Sequence, residues 1–342
     1  MSSKKKSRLV SILEYLFFLG LGFFLLWLSF RKLDLSKVWS DILNADYIWM
    51  FYSLFFAITS HIVRALRWNM LINSLGYKTR LSSTFYSLMV GYMANTAVPR
   101  MGEFMRCGVL SKKEKIPFNA LFGTVISERL LDMLMLLLII FMVVVFQIDL
   151  VGGYLGSIFT PLFQKLANNM WTIVFLVGGL ILFFVLSIWL IYRFRERIKK
   201  LSFYAKMRLF LDGLFDGIKT VLKLKQKWLF IFYTIIIWLF YVLMVYFTFM
   251  LLPETSVLAF KDAFTLLGIG SLGIVAPVPG GIGAYHFIIK SVLYEVYGIG
   301  GVAAGSFAAI THAGQTLLNV GVGAISYFML MFLSKKQKPL NE

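Results

Sequence analysis

Charged side chains lie inside long apolar segments of this chain, at spacings that put them on single helical faces. His61, Arg64 and Arg67 recur every third residue, and Glu128 and Asp132 are four residues apart. Residues three or four apart share one face of an α-helix. A charge at the centre of a bilayer costs at least about 2.5–3.5 kcal/mol, so each of these residues needs a partner or a function.

The candidates for binding the phosphate of a lipid headgroup are four arginines, Arg64, Arg67, Arg100 and Arg106. The guanidinium group presents a planar fork of N–H donors that matches the oxygens of a phosphate. Glu103, Glu128 and Asp132 would hold these arginines in place, receive a cationic headgroup or, like the histidines, bind a coupling proton. The alternative is that these charges form structural ion pairs between helices. Arg67 is also close enough to the cytoplasmic end of its segment to snorkel.

A metal site is a third interpretation of the buried charges. Glu, Asp and His can all bind zinc, but the sequence contains no tightly spaced ligand motif. The chain has one cysteine, Cys107, which excludes a thiolate cage and an internal disulfide. We therefore expect no metal and no other cofactor.

Two short apolar stretches, roughly 82–98 and 262–276, end in proline and glycine. Each is shorter than the roughly 20 residues that a helix needs to cross a bilayer. Each leads into a Val-Pro pair with a glycine within the next four residues, and 180 residues separate the two pairs. Proline ends a helix and glycine lets the chain turn. We predict two broken, re-entrant helices with the hinge residues Pro99, Gly102, Pro277 and Pro279.

The helix that restarts after each break would point free N–H groups and its positive dipole end at the gap. Gly280, Gly281 and Gly283 could add an anion-binding nest of backbone N–H groups. His312 and Gln315 form a polar stripe in the corresponding region of the second half. This arrangement predicts an inverted repeat, in which interrupted helices meet at a substrate site near the bilayer midplane. The alternative is two proline kinks in ordinary spans.

The composition is that of an integral membrane protein. Of 342 residues, 59% are apolar or aromatic and 15% are charged, and the mean hydropathy is +0.81. A soluble domain has about a quarter charged residues, so these values exclude an ordinary soluble enzyme. The net charge of +18 would suggest nucleic-acid binding in a soluble protein, but in a membrane protein basic residues report orientation. We therefore expect no nucleic-acid partner.

Six stretches are long enough to cross a bilayer as helices. They lie roughly at 9–30, 47–73, 117–147, 170–192, 228–252 and 301–333. Basic and neutral connections alternate along the chain if each short stretch enters and leaves on one side. Basic residues mark the cytoplasmic side, so we predict a multi-pass protein of the cell (inner or plasma) membrane with both termini in the cytoplasm. The predicted class is all-α, with about six spans and two re-entrant helices.

The whole chain, residues 1–342, is predicted to be a single membrane domain. Residues 193–227 carry eleven basic and three acidic residues, with apolar side chains at helical spacing. This pattern predicts an amphipathic helix on anionic lipid at the cytoplasmic face. The parts of the domain are an N-terminal helix (1–46), a first repeat (47–148), a connecting span with the amphipathic helix (149–227), a second repeat (228–334) and a basic tail (335–342).

Four motifs, in this order, resemble the lysylphosphatidylglycerol synthase transmembrane-region family, also called the flippase-like family. They are Arg64-Ala-Leu-Arg67-Trp68, the stretch from Asn95 to Arg106 with Pro99-Arg100-x-Gly102-Glu103, Glu128-Arg129-x-x-Asp132, and Pro277-Val-Pro279-Gly280-Gly281-Ile-Gly283. Some members of this family are fused to a soluble aminoacyl-lipid synthase domain, and the resemblance implies that their membrane part moves a modified phospholipid between leaflets. This chain ends at Glu342 without such a domain, so we expect no lysyl transfer. Position 286 is His where the family pattern leads us to expect an acidic residue.

We therefore expect a lipid translocase, of flippase or scramblase type, rather than an enzyme. Two inverted gates would open a polar cavity to either leaflet in turn. The headgroup of an anionic or aminoacylated phospholipid, or of another phosphate-bearing lipid, would cross it while the acyl tails stay in hydrocarbon.

Two alternatives belong to other functional classes. One is an intramembrane enzyme, in which the Glu-Arg-x-x-Asp motif and His312 act as general acid and base on a lipid-linked substrate. The other is a membrane subunit that recruits a soluble synthase through residues 193–227. The expected partners are the phospholipids of the bilayer, with a soluble synthase or a second copy of the chain as further candidates.

Overall fold

The computed structural model describes residues 8–148, 224–275 and 278–336, with the isolated positions 186, 189 and 193 between them. The described chain is largely α-helical and contains no β-strand. This confirms the predicted all-α membrane class. Apart from the isolated positions, the predicted span at 170–192 and the amphipathic helix before Leu224 lie outside the described residues.

The chain begins with a helix that turns sharply before the first long span. α1 (Arg8–Phe30) is followed by α2 (Leu35–Asn44), and the two axes differ by 91°. The Asp34 carboxylate caps α2 by accepting hydrogen bonds from the backbone N–H groups of Ser36 and Lys37. The Ser36 hydroxyl also donates to it (2.6 Å) and lowers the pKa of Asp34. The sequence had predicted only a connection here, so α2 is an additional element.

The first half of the described chain has two long helices with a broken helix between them. The long helices are α3 (Tyr47–Ser74) and α6 (Phe118–Phe146). Between them lie α4 (Leu81–Ala97) and α5 (Met101–Glu114). Pro99 separates the short helices because it lacks the N–H donor that would continue α4.

The second half repeats this order of elements. Its long helices are α7 (Lys227–Thr248), which a 3₁₀ turn extends to Leu251, and α10 (Gly301–Lys336). Between them lie α8 (Phe260–Val275) and α9 (Ala284–Ser291). A further 3₁₀ turn, Pro279–Gly281, stands in the second break. The common order supports the predicted repeat, whose inverted symmetry stays a prediction.

Among the described residues, four helices are long and apolar enough to cross a membrane: α3, α6, α7 with its 3₁₀ turn, and α10. The bent pair of α1 and α2 is a fifth candidate. The four helices agree within a few residues with predicted spans, and the count of six stays a prediction. α4 and α8 have only 17 and 16 residues, below the length that crossing requires.

The helices of the two halves pack against each other crosswise. α3 lies along α7, α4 packs against α10, and α8 packs against α6. Within each half the short helices also pack together, α4 with α5 and α8 with α9. A two-fold relation between the halves would produce this set of contacts.

Apolar side chains fill the core and also cover the outer surface. The largest core cluster lies mainly in the second half and includes Phe249, Leu293 and Phe307, each at most 1% exposed. On the outside, Phe141 and Phe332 are 64% and 68% exposed. Extended apolar surface of this kind is rare on soluble monomers, and hydrocarbon solvates it well. The surface is that of a membrane protein.

Candidate functional site

The first break joins α4 to α5 through a short non-helical turn. Pro99 and Arg100 lead into α5, with Arg100 in the left-handed conformation (φ 64°, ψ 5°). The Gly102 N–H group donates to the side-chain oxygen of Asn95 (2.7 Å), which satisfies a donor at the start of α5. Gly102 also lies against Gly91 of α4, where a Cβ on either glycine would collide with the facing carbonyl. The predicted hinge residues Pro99 and Gly102 therefore lie in the turn and just after it.

The second break makes the same turn at the equivalent position. Gly280 follows Pro279 as Arg100 follows Pro99, and it has φ 59° and ψ 5°. These angles match those of Arg100 within a few degrees, 180 residues away. Glycine adopts this conformation freely, whereas other residues are strained in it, so the match supports the predicted repeat. Pro277, the remaining predicted hinge residue, lies outside the described residues.

The predicted glycine nest divides between two environments. Gly281 (φ 74°) lines a cavity next to Gly280, with open space where a Cβ would lie. Gly283 (φ 81°) instead packs against Gly22 of α1, and a Cβ on it would collide with the Gly22 carbonyl oxygen. Gly283 therefore allows a close helix contact and does not line the cavity.

The two breaks meet at a cavity of about 640 Å³. A Cβ on Gly280 would lie only 3.3 Å from the carbonyl oxygen of Thr96, so the second break touches the end of α4. Helices from both halves form the walls. The polar lining residues are Ser53, Tyr92, Asn95, Thr96, Arg100, Glu103, Arg129, Thr248, Ser271, Tyr285, Thr311, His312, Gln315, Thr316 and Asn319.

Among the described residues, three charged side chains line the cavity: Arg100, Glu103 and Arg129. Arg129 Nη2 lies 3.0 Å from Glu103 Oε1, and the two side chains are 40% and 24% exposed. Within the described part of the chain, Arg100 is exposed and forms no ion pair. Two guanidinium groups against one carboxylate leave the cavity positively charged, which favours an anionic ligand.

The sequence placed Arg129 in the Glu128-Arg129-x-x-Asp132 motif but did not predict it as a headgroup-binding residue. On an ideal helix it lies about 100° from Glu128, outside the face on which the predicted stripe was drawn. The structure turns the Glu128 face toward neighbouring helices and places Arg129 at the cavity. Its opposite charge to Glu103, just after the first break, is the signal that could have identified it.

The second half lines the cavity with neutral polar groups. His312 and Gln315 on α10 both face it, as does Tyr285. His312 donates from Nε2 to the carbonyl oxygen of Gly280 (3.0 Å), so α10 holds the second break through this hydrogen bond. His286, the departure from the family pattern, lies beside it, with the two ring centres 4.7 Å apart.

The remaining predicted charges form a closed ion-pair cluster beside the cavity. Arg64 Nη1 contacts Glu128 Oε1 (2.6 Å) and Asp132 Oδ2 (2.7 Å). Arg67 Nη2 contacts Asp132 Oδ1 (2.7 Å), and Arg106 Nη2 contacts Glu128 Oε2 (3.1 Å). All five residues are at most 9% exposed, and none lines the cavity.

The ion-pair cluster ties α3, α5, α6 and α7 together. Arg64 also donates to the Tyr241 hydroxyl (2.9 Å), and Arg67 donates to the Thr234 hydroxyl (3.2 Å), both on α7. This is the structural ion pairing that the sequence left open as the alternative. Direct binding of a lipid phosphate by Arg64, Arg67 and Arg106 stays a prediction.

Arg129 connects the ion-pair cluster to the cavity. Its Nη1 lies 4.0 Å from Asp132 Oδ2, while its Nη2 pairs with Glu103. A ligand that draws Arg129 further into the cavity would therefore weaken contacts on both sides. This side chain is the direct link between the cavity and the ion-pair cluster.

His61 lies apart from the cavity. Its ring packs against that of Tyr92, with centres 4.6 Å apart, and the residue is 8% exposed. In the described ranges, no three His, Cys, Asp or Glu side chains are arranged to hold a metal ion. A coupling role for His61 stays a prediction.

The fold and the cavity define an all-helical, multi-pass membrane protein with a positively charged chamber between two interrupted helices. The sequence model of the family described as Lysylphosphatidylglycerol synthase TM region matches residues 11–323. The chain belongs to this family. Membership confirms the resemblance drawn from the four motifs and suggests a lipid-related function in the membrane.

One curated relative adds a more limited comparison. A UPF0104 membrane protein of Methanocaldococcus jannaschii is 28% identical over 130 residues, which are 37% of this chain and 36% of that protein. The match thus spans about a third of the relative's length. No solved structure matches the chain.

Proposed function

We propose that this protein is a lipid translocase that carries the headgroup of a phosphate-bearing lipid across the membrane. The observation that carries the proposal is the cavity of about 640 Å³ between two chain breaks, lined by Arg100 and Arg129. Charges at such a place are costly, which favours a role in ligand binding. An anionic or aminoacylated phospholipid has the matching chemistry, since its polar headgroup needs such a chamber and its tails do not.

Arg100 and Arg129 would hold the phosphate through their N–H donors. Arg129 already pairs with Glu103 at 3.0 Å, so an incoming phosphate competes with that carboxylate for the same guanidinium group. Once released, Glu103 would be free to bind the amine of an aminoacylated headgroup. An unmodified anionic lipid would use the two arginines alone.

The ion-pair cluster would act as a positioning element. Glu128 and Asp132 already occupy donors of Arg64, Arg67 and Arg106. The cluster fixes α6 against its neighbours and so sets where Arg129 stands. We therefore assign direct contact with the phosphate to Arg100 and Arg129.

Translocation also requires the cavity to open toward each leaflet in turn. Ion pairs brace the first half, whereas glycine turns and the neutral His312–Gly280 hydrogen bond shape the second break. The second break is therefore the element that we expect to move. The lipid would cross without chemical change.

The proposed setting follows from the distribution of basic residues. We place both termini in the cytoplasm and the protein in the plasma membrane, with residues 193–227 against anionic lipid. A soluble synthase or a second copy of the chain would be an additional partner. Neither is required for the cavity described above.

The test uses purified protein in liposomes that contain phosphatidylglycerol with a fluorescent label. Dithionite does not cross the bilayer and bleaches only label in the outer leaflet, so the rate at which inner-leaflet label becomes bleachable reports translocation. We expect the wild type to accelerate it and Arg129→Gln to slow it at least about tenfold, since a hydrogen bond to a charged group contributes about 1.5–3 kcal/mol. The matched control is Arg31→Gln, because Arg31 lies over the Trp27 ring (4.9 Å) and does not line the cavity.

Two outcomes would contradict the proposal. Equal rates for Arg129→Gln and Arg31→Gln would remove the site, and no acceleration by the wild type would remove the activity. Mass spectrometry of the extracted lipids separates the alternatives. A new chemical species would favour an intramembrane enzyme, and an inactive chain that co-purifies with a stoichiometric soluble protein would favour a subunit.

A further inference from the structure

A second, smaller concavity lies on the outer face of the first half, beside α5 and α6. Its volume is about 250 Å³. We call it the outer groove and define it by its apolar wall on α6, which consists of Phe122, Val125, Ile126, Leu130 and Met133. Ile126 is 46% exposed, so the groove opens toward the surroundings of the protein.

The outer groove and the polar cavity share two residues, Glu103 and Arg129. Their ion pair (3.0 Å) therefore stands at the boundary between an apolar space and a polar one. It also joins α5 to α6, because Glu103 belongs to the first helix and Arg129 to the second. Separation of this ion pair would open a lateral connection between the outer groove and the polar cavity.

The polar cavity matches the headgroup of a phospholipid, and the adjoining apolar groove matches an acyl chain. A phosphate beside Arg129 lies at the inner end of the outer groove, so an acyl chain attached to it can leave along apolar side chains. The chain gains little energy there, because lipid tails are as apolar as the wall. The groove would guide the chain, while the arginines supply the selectivity for the headgroup.

We propose that the outer groove holds one acyl chain of the lipid whose phosphate is bound by Arg100 and Arg129, and that the Glu103–Arg129 pair parts to admit it. The inference rests on the proposed function and adds a site for the tail. Continuity with the cavity and positive charge at the inner end favour a phosphate-bearing lipid as the occupant. A transmembrane helix of a second copy would bring an apolar surface that leaves this charge unused.

The test fills the groove without touching the cavity. Ile126→Trp places a large side chain in the groove, and Ile235→Trp is the matched control, since Ile235 is 53% exposed on α7 and lines neither space. Native mass spectrometry measures binding of phosphatidylglycerol, and calorimetry measures binding of glycerol phosphate, the headgroup without tails. We expect Ile126→Trp to weaken phosphatidylglycerol binding at least tenfold, because the indole occupies the space that the acyl chain needs while the phosphate is bound, and to leave glycerol phosphate binding within twofold of wild type.

The outcomes separate this inference from the proposed function. Wild-type binding of phosphatidylglycerol without translocation would contradict the translocase and keep the groove. Equal phosphatidylglycerol binding by Ile126→Trp and Ile235→Trp would overturn the groove and keep the translocase. A parallel loss of glycerol phosphate binding in Ile126→Trp would show a general disturbance of the fold and also overturn it. So would a change in oligomeric mass confined to Ile126→Trp, which would identify the groove as an interface between copies.

Discussion

The two chain breaks make the same backbone turn with different chemistry. At the first, the left-handed position is Arg100, and Glu103 follows within one turn of helix. At the second, it is Gly280, whose carbonyl oxygen accepts a hydrogen bond from His312. All three charged residues that line the cavity come from the first half of the described chain.

The two halves therefore contribute different chemical groups to the cavity. The first half supplies charge, and a charge buried in a membrane needs charged partners, which the ion-pair cluster provides for Arg64, Arg67 and Arg106. The second half supplies a glycine turn and a neutral hydrogen bond from His312 to Gly280. On the proposed function, the first half would bind the lipid headgroup and the second half would move around it.

Removing a carboxylate from the ion-pair cluster should have the largest effect. Glu128 is fully buried and contacts Arg64, Arg67 and Arg106. Glu128→Gln keeps the shape of the side chain but leaves Asp132 as the carboxylate partner within the cluster. A buried charge that loses its partner costs about 3–5 kcal/mol. We expect the free energy of unfolding, from an SDS titration in mixed micelles, to fall by about that amount.

Glu103→Gln is the control for Glu128→Gln. It removes a carboxylate of the same type that is 24% exposed to the cavity, where an ion pair contributes about 0–1 kcal/mol. If both variants unfolded at the same SDS concentration, the expected difference in stability between the ion-pair cluster and the cavity pair would be contradicted. Such a result would mean that the buried pairs do not brace the first half.

A methyl group on Gly280 tests the second half. Gly280→Ala introduces strain at φ 59°, about 1–2 kcal/mol for a residue with a Cβ, and crowds the Thr96 carbonyl oxygen at 3.3 Å. Gly281→Ala is the matched control, because it has a similar φ of 74° with open space around the added atom. We expect both to lower the free energy of unfolding, and Gly280→Ala to slow lipid translocation more strongly. Equal translocation rates for the two variants would show that the contact between the breaks is dispensable.

The helices were predictable because lipid exposure leaves long apolar runs in the sequence. α3 and α6 follow such runs within a residue or two of the predicted bounds. α2 was missed because its ten residues, Leu35–Asn44, are too short and too polar to resemble a span. The capping residue Asp34 was its visible signal.

The site was harder to predict than the helices. The sequence correctly put Arg64, Arg67, Glu128 and Asp132 on shared faces, and the structure brings them together. A shared face does not show whether the charges neutralise one another or remain open to a ligand, since both require the same spacing. That choice depends on which helix packs opposite, and it is why Arg129 emerged only from the packing of α5 against α6.

The smallest expected effect on stability comes from replacing Arg100 at the first break with glycine, the residue found at the equivalent position of the second break. Arg100→Gly removes left-handed strain of about 1–2 kcal/mol and adds about 0.5–1 kcal/mol of chain entropy to be lost on folding. The free energy of unfolding should therefore rise by about 0–1.5 kcal/mol, while translocation of phosphatidylglycerol falls because one of the two cavity arginines is gone. Arg100→Ala, which removes the same charge and keeps the strain, should lose translocation equally without the gain in stability. If Arg100→Gly were less stable than Arg100→Ala, this turn would not be strained. Arginine would then occupy the left-handed position without an energetic cost.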